Sequence, residues 1–123
     1  MEQVDQEQPS MKVLNLEGKL TIEQIKKIKQ EMLDAINSHD KVWLNLTRTS
    51  AIDISGIQLL YGARRYANKK GKELLFTGTI PEPVTRSLLT GGFLRTAVSE
   101  GNELATGLID FPESEHKIGE KDN

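Results

Sequence analysis

The chain has 123 residues and a formal net charge of -2, with 37% hydrophobic and 28% charged residues. That length suits a single domain with an ordinary core, and that mixture suits a soluble globular fold with polar ends. The balanced charge argues against a nucleic-acid binder. The lack of cysteine excludes disulfides, thiolate metal sites and cysteine nucleophiles, and no apolar run nears the roughly 20 residues of a membrane span.

The polar ends come first in the partition of the chain. Residues 1–9 carry Glu2, Asp5 and Glu7 and no base, a charge of -3. Residues 112–123 carry four acids and two bases, so residues 10–111 hold +3. The opening Met1–Asp5 has neither a basic start nor an apolar stretch, which is not the pattern of a signal peptide. These features predict a flexible acidic tail at 1–9, a folded domain at 10–111 and a flexible polar tail at 112–123. Without cysteine, signal or span, a cytoplasmic location is expected, with no membrane insertion.

Within the domain, Met11 to Glu17 reads as a strand that Gly18 ends. Thr21-x-x-Gln24 has the form of a capping box. Ile22, Ile25, Ile28, Met32 and Ile36 follow at steps of three and four and predict an amphipathic helix over 22–37. Val42–Leu46 is a short apolar strand with Trp43 packed in it. Residues 47–52 read as a connection. A second helix is predicted over 56–70, with Ile57, Leu60, Ala63 and Ala67 on one face and Gly71 as its stop. Glu73–Thr77 is a third strand, and Pro81 and Pro83 introduce a third helix over 82–90 that ends at Gly91-Gly92. Thr96–Ser99 reads as a last short strand, and 101–109 as a last helix. Strands alternating with helices predict an α/β domain with parallel pairing and sites where strands end and helices begin.

The junction Asp53-Ile54-Ser55-Gly56 is such a place. Ser55-x-x-Gln58 can be a capping box, with Ser55 closing the helix and Gly56 allowing close packing. The same serine can be a phosphorylation site. A phosphate at a helix start faces free N–H groups and the positive end of the dipole. It would add about -1.5 to -2 charge beside Asp53, and a partner fitted to a neutral hydroxyl would meet a hydrated dianion. The local sequence is compatible with both.

Leu44-Asn45-Leu46, Ala51-Ile52-Asp53-Ile54-Ser55-Gly56-Ile57, Lys70-Gly71-Lys72-Glu73-Leu74, Val84-x-x-Leu88 and Gly92-Phe93 together resemble the STAS domains, the sulfate transporter and anti-sigma factor antagonist domains. The resemblance runs over about residues 11–109. It implies a mixed four- or five-stranded sheet backed by helices, and a stand-alone regulatory protein rather than an enzyme. In the family's bacterial anti-sigma factor antagonists the serine before the glycine accepts a phosphate, which by position is Ser55. The implied partners are an anti-sigma factor with serine kinase activity, bound by the unmodified form so that a sigma factor is freed, and a serine phosphatase that restores binding. The implied contact surface is Asp53, Ile54, Ser55, Gly56, Ile57 and Thr21, the last standing where many relatives carry an acid. Asn45 stands where an Asp is frequent. The alternative is a constitutive STAS subunit of a lipid-transport ATPase complex or a chemosensory complex, in which Ser55 is only a helix cap.

Other chemistry finds little support. His39 and His116 are the only histidines, too few for a structural zinc site, so no metal is expected. A Ser55–His39–Asp53 hydrolase triad needs His39, at the far end of the first helix, to reach the serine. No glycine-rich phosphate loop is present, so no cofactor is expected. Arg64, Arg65, Lys69, Lys70 and Lys72 form a basic set, either a solvated helix face or a patch for an acidic partner.

Overall fold

The computed structural model describes residues 10–113. The predicted tail at 1–9 and most of that at 112–123, including His116, lie outside the described residues. Among the described residues five strands and four helices follow in order. They are β1 (Met11–Asn15), β2 (Gly18–Leu20), α1 (Ile25–Ser38), β3 (Lys41–Asn45), β4 (Thr49–Ile52), α2 (Ile54–Lys69), β5 (Glu73–Thr77), α3 (Glu82–Thr90) and α4 (Gly101–Gly107).

β3 lies at the centre of a parallel sheet in the order β1-β3-β5, and β2 pairs with β4, also in parallel. Among the described residues the antiparallel contact is one isolated bridge, Thr79 to Glu100. The two sheets are joined. The Leu16 N–H donates to the Asn45 carbonyl at 3.0 Å and the Gly18 N–H to the Arg48 carbonyl at 3.0 Å, so the pairing continues across a bend. β1 with β2, and β3 with β4, are thus two bent runs side by side. The buried Thr49 hydroxyl fixes the bend by donating to the Leu16 carbonyl at 2.8 Å.

Strand alternation sets the layers. Val42 and Leu44 on β3 lie in register with Leu74 and Phe76 on β5, and all four are buried. Each such side chain stabilises the fold by roughly 1.5–3 kcal/mol. α1 and α2 pack over this face, with Met32, Ile36, Leu60 and Ala67 in the same core. The other face carries the row Val13, Trp43 and Leu75 and is only partly covered. At the C-terminal side, Tyr61, Phe76, Phe93 and Phe111 form a chain of ring contacts, and the Tyr61 hydroxyl donates to the Ile109 carbonyl at 2.5 Å.

Several elements differ from their sequence expectations. The connection expected at 47–52 contains β4, and β2 lies just past β1; strands of four and three residues are too short to show a period. α1 begins at Ile25, not Ile22, because Thr21–Gln24 form a hydrogen-bonded turn, the Gln24 N–H donating to the Thr21 carbonyl at 2.8 Å. The proposed Thr21 capping box is therefore absent, and Ile22 is 64% exposed. Thr96–Ser99 is not a strand: Thr96, Ala97 and Ser99 are exposed, with no alternating buried face. α4 starts with a capping box between Glu100 and Glu103. The Ser99 and Glu100 N–H groups donate to the Glu103 carboxylate, holding its pKa below the ordinary range.

Two glycines in α2 differ sharply in their surroundings. A Cβ at Gly56 would collide with the Leu20 carbonyl and lie 2.8 Å from Ile52 Cγ1, whereas one at Gly62 would meet nothing within 4 Å. Gly56→Ala is therefore expected to destabilise by about 1–3 kcal/mol or more, and Gly62→Ala to stabilise by roughly 0.5–1 kcal/mol. Urea denaturation of both variants checks the pair. Equal stabilities would contradict the close approach of α2 to β2.

Candidate functional site

The site forms where β2 and β4 end side by side. Leu20 and Ile52 are register partners, so the residues that follow them, Thr21-Ile22 and Asp53-Ile54, emerge together. The Asp53 N–H donates to the Leu20 carbonyl at 3.3 Å. Thus two segments some thirty residues apart in sequence share one surface.

Asp53 organises this surface with both carboxylate oxygens. Oδ1 accepts from the Gly56 N–H at 3.1 Å, capping α2, and Oδ2 accepts from the Ile22 N–H at 3.0 Å, fastening the turn before α1. The N-cap of α2 is therefore Asp53. The reading of Ser55 as the helix cap is corrected. Ser55 is the second residue inside the helix, half-buried, with its side chain on the wall of a groove between α1 and α2.

The predicted site residues divide by exposure. Thr21, Asp53 and Ser55 are half-buried, and Ile54 is 53% exposed. Gly56 and Ile57 are buried and support the surface from beneath. Ile22 belongs to this surface too, as do Gln58 and Leu59 on the next turn of α2. The periodicity argument had assigned Ile22 to the core. The signal that reassigns it is long-range, the bond from its N–H to Asp53. Ile22 lines the groove on the α1 side of Ser55, while Ile54 lines a second depression against the end of α3 with Arg86, Ser87 and Phe93. The result is a small hydroxyl near two exposed isoleucines, a composition suited to protein contact.

The remaining candidates lie elsewhere. His39 follows the C-terminal end of α1, its Nδ1 3.2 Å from the Ala35 carbonyl. The turn that meets Asp53 precedes the other end of this 14-residue helix, about 21 Å long at 1.5 Å per residue, so Ser55, Asp53 and His39 form no triad. The basic set is dispersed. Arg64 turns inward to the Leu74 carbonyl and the Phe111 ring, and burial lowers its pKa. Lys72 donates to the His39 carbonyl and pairs with Asp40. Arg65, Lys69 and Lys70 are exposed. Among the described residues no group of three His, Asp or Glu could hold a metal ion, and no helix is long and apolar enough to cross a membrane.

Residues 4–93 match the family model described as Mlab, STAS domain. The chain belongs to the STAS family. Among proteins with curated descriptions, none matches it. Solved STAS-like folds do. The anti-sigma factor antagonist SpoIIAA in its unphosphorylated form superposes with a TM-score of 0.58 at 19% identity, over 94% of this chain and 91% of that one. The phosphorylated form of SpoIIAA, the Bacillus cell fate determinant, gives 0.54 at 20% identity over 94% of each chain. A sulfate transporter family protein from Wolinella succinogenes gives 0.52 at 17% identity, over 68% of this chain and 67% of that one. The chain also matches the crystal structure of Mglu at TM-score 0.50 and 24% identity, with 58% of its residues, but spans only 18% of that chain. At these identities the likeness is one of fold: an α/β STAS domain with parallel strands backed by helices.

In this STAS domain the Asp53 carboxylate caps α2 and the Ser55 hydroxyl does not, and the energetics should separate accordingly. Asp53→Ala is expected to cost roughly 1–2 kcal/mol, the scale of a lost N-cap, and to speed amide exchange at Ile22 and Gly56. Ser55→Ala should stay within about 0.5 kcal/mol of wild type. Denaturant titration with amide exchange checks both, and an equal loss from the two variants would return the cap to Ser55.

Proposed function

We propose that this STAS protein is an anti-sigma factor antagonist, a binding module rather than an enzyme. On this reading it sequesters an anti-sigma factor that has serine kinase activity, and so frees a sigma factor. Ser55 is the phosphoacceptor, and Asp53, Ile54, Gly56, Ile57 and Thr21 form or support the contact surface with Ile22. A serine phosphatase reverses the modification, and the exchange takes place in the cytoplasm. The kinase supplies nucleotide and metal.

The observation that carries this reading is the division of labour at the start of α2. Because Asp53 performs the capping, the Ser55 hydroxyl can be modified without removing the bond that begins the helix. The helix dipole favours an anion there, so the folded domain tolerates the phosphate. The partner does not, because roughly two negative charges and their hydration arrive on a surface built around a hydroxyl and two isoleucines. The likeness in fold to SpoIIAA, known in both unphosphorylated and phosphorylated forms, supports the same reading.

A second reading rests on the Mlab description of the matched family model. It makes the chain a constitutive STAS subunit of a lipid-transport ATPase complex, with the same surface used permanently and Ser55 never modified. The two readings part at Ser55. With the cognate kinase, wild-type protein should be phosphorylated and Ser55→Ala should not, with thermal melts unchanged. Ser55→Asp should bind the anti-sigma factor at least about tenfold more weakly, the size of a hot-spot loss. Phosphorylation of Ser55→Ala to the wild-type level would sink the assignment. Equal partner recovery by wild type and Ser55→Asp would favour the constitutive subunit.

A further inference from the structure

An apolar groove of about 540 Å³ runs between α1 and α2. Its α2 wall is Ser55, Gln58, Leu59, Gly62 and Tyr66, residues three and four apart that share one helix face. Ile25 and Leu33 of α1 line the opposite wall, over the buried Met32. From Ser55 to Tyr66 the helix rises about 16 Å, or three turns. The groove is therefore the length of a short helix segment.

Gly62 indicates that the groove is meant to stay open. A glycine inside a helix costs about 0.5–1 kcal/mol relative to alanine, and the usual reasons for accepting that are a positive φ or a close neighbour. Gly62 has neither: its φ is not positive, and a Cβ there would meet nothing within 4 Å. Gly56, in the same helix, is packed against Leu20 and Ile52. No contact within the described residues requires Gly62, whereas any larger side chain would stand in the groove.

The charge on the groove selects the occupant. Lys29 is its one charged lining residue, and no carboxylate lines it. At the Tyr66 end the Lys70 ammonium lies 5.5 Å from the centre of the Tyr66 ring. We propose that this groove receives an acidic amphipathic helix of a partner protein. Its apolar face lies along Ile25, Leu33, Leu59 and Gly62, and its carboxylates face Lys29 and Lys70. Helix-in-groove docking of this kind is read as anchors at three- and four-residue steps. Ser55 closes the other end of the groove, so a phosphate there repels the carboxylate that faces Lys29, and modification competes with docking. The competition rests on Ser55 being the phosphoacceptor; docking to the unmodified chain does not.

The test uses the full chain and a displayed library of helix-forming peptides about three turns long. Each peptide carries a leucine face, with the polar positions all Glu, all Gln or all Lys. The Glu set should be enriched, and its amide shift changes should fall on Lys29, Gln58, Leu59 and Gly62. Gly62→Leu and Lys29→Glu should each weaken binding about tenfold without lowering the melting temperature, and Ser55→Asp should weaken it similarly. Several results would overturn the docking: no set binding, the Gln or Lys sets binding as well, shifts confined to Val13, Trp43 and Leu75, or Lys29→Glu binding as wild type. Unchanged binding by Ser55→Asp would overturn the competition. Loss of kinase labelling at Ser55 with groove binding intact would count against the phosphoswitch alone.

Discussion

Two hydrogen bonds to one carboxylate hold the candidate surface of this domain together. Asp53 accepts from Gly56 three residues ahead and from Ile22 thirty-one residues behind. The first bond satisfies a backbone donor that would be orphaned at the start of α2. The second fastens a turn that has no side-chain cap of its own, since Gln24, the N-cap of α1, makes no side-chain cap bond. A carboxylate suits both tasks, because it offers two acceptor oxygens and charge-assisted bonds are stronger than neutral ones. Replacing it with serine would leave one acceptor centre for two donors on separate elements. The relative position of the two helices at the groove, and the placement of Ile22 and Ile54 on either side of Ser55, depend on this link.

Below that link, the bend in the strands makes the close approach possible. β1 and β3 pair in the main sheet, and their continuations β2 and β4 pair beyond the bend. Leu20 and Ile52 then arrive side by side at the end of two parallel strands, where α/β sheets commonly place their sites. Gly56 is the steric counterpart of Asp53. The carboxylate draws the start of α2 toward the end of β2, and only hydrogen on Cα permits that distance. Polar attraction and the missing side chain act on the same few atoms, so neither alone accounts for the geometry.

Much of this was legible in the sequence. The helix over 82–90, the strand at Glu73–Thr77 and the parallel α/β order follow from periodicity and from proline and glycine punctuation, and the structure has all three. Lost were the short strands β2 and β4, which pair only because β1 and β3 have already set their register. The cap was ambiguous for a chemical reason: Asp53 and Ser55 are both good N-cap residues two positions apart. The structure gives the cap to Asp53, whose backbone is extended and whose Oδ1 accepts from the Gly56 N–H, while Oδ2 also holds the Ile22 N–H. Ile22 itself fits the helical period but falls in the turn, so pattern alone places it on the wrong side of the solvent boundary. Gly62 falls inside the helix predicted over 56–70, but that its Cβ position faces open space is a tertiary fact.

The position of Ser55 one step inside the helix, rather than at its cap, has a consequence for any charge placed on it. At the cap, modification would remove an acceptor from the helix start and loosen the fold. At the second helical position, a phosphate gains from the helix dipole, an effect of about 0.3–1 kcal/mol at an exposed site. It also faces the like charge of Asp53, two residues earlier, which opposes that gain. The two contributions have opposite sign and act over the same turn, so the net effect on folding is small compared with several kcal/mol of global stability. What does not cancel is the change seen from outside. The groove beyond Ser55 is apolar with a cationic rim, and a partner laid into it must desolvate the new dianion or leave. A charge placed on a serine at this position would thus separate stability from recognition: the chain would keep its fold and change its surface.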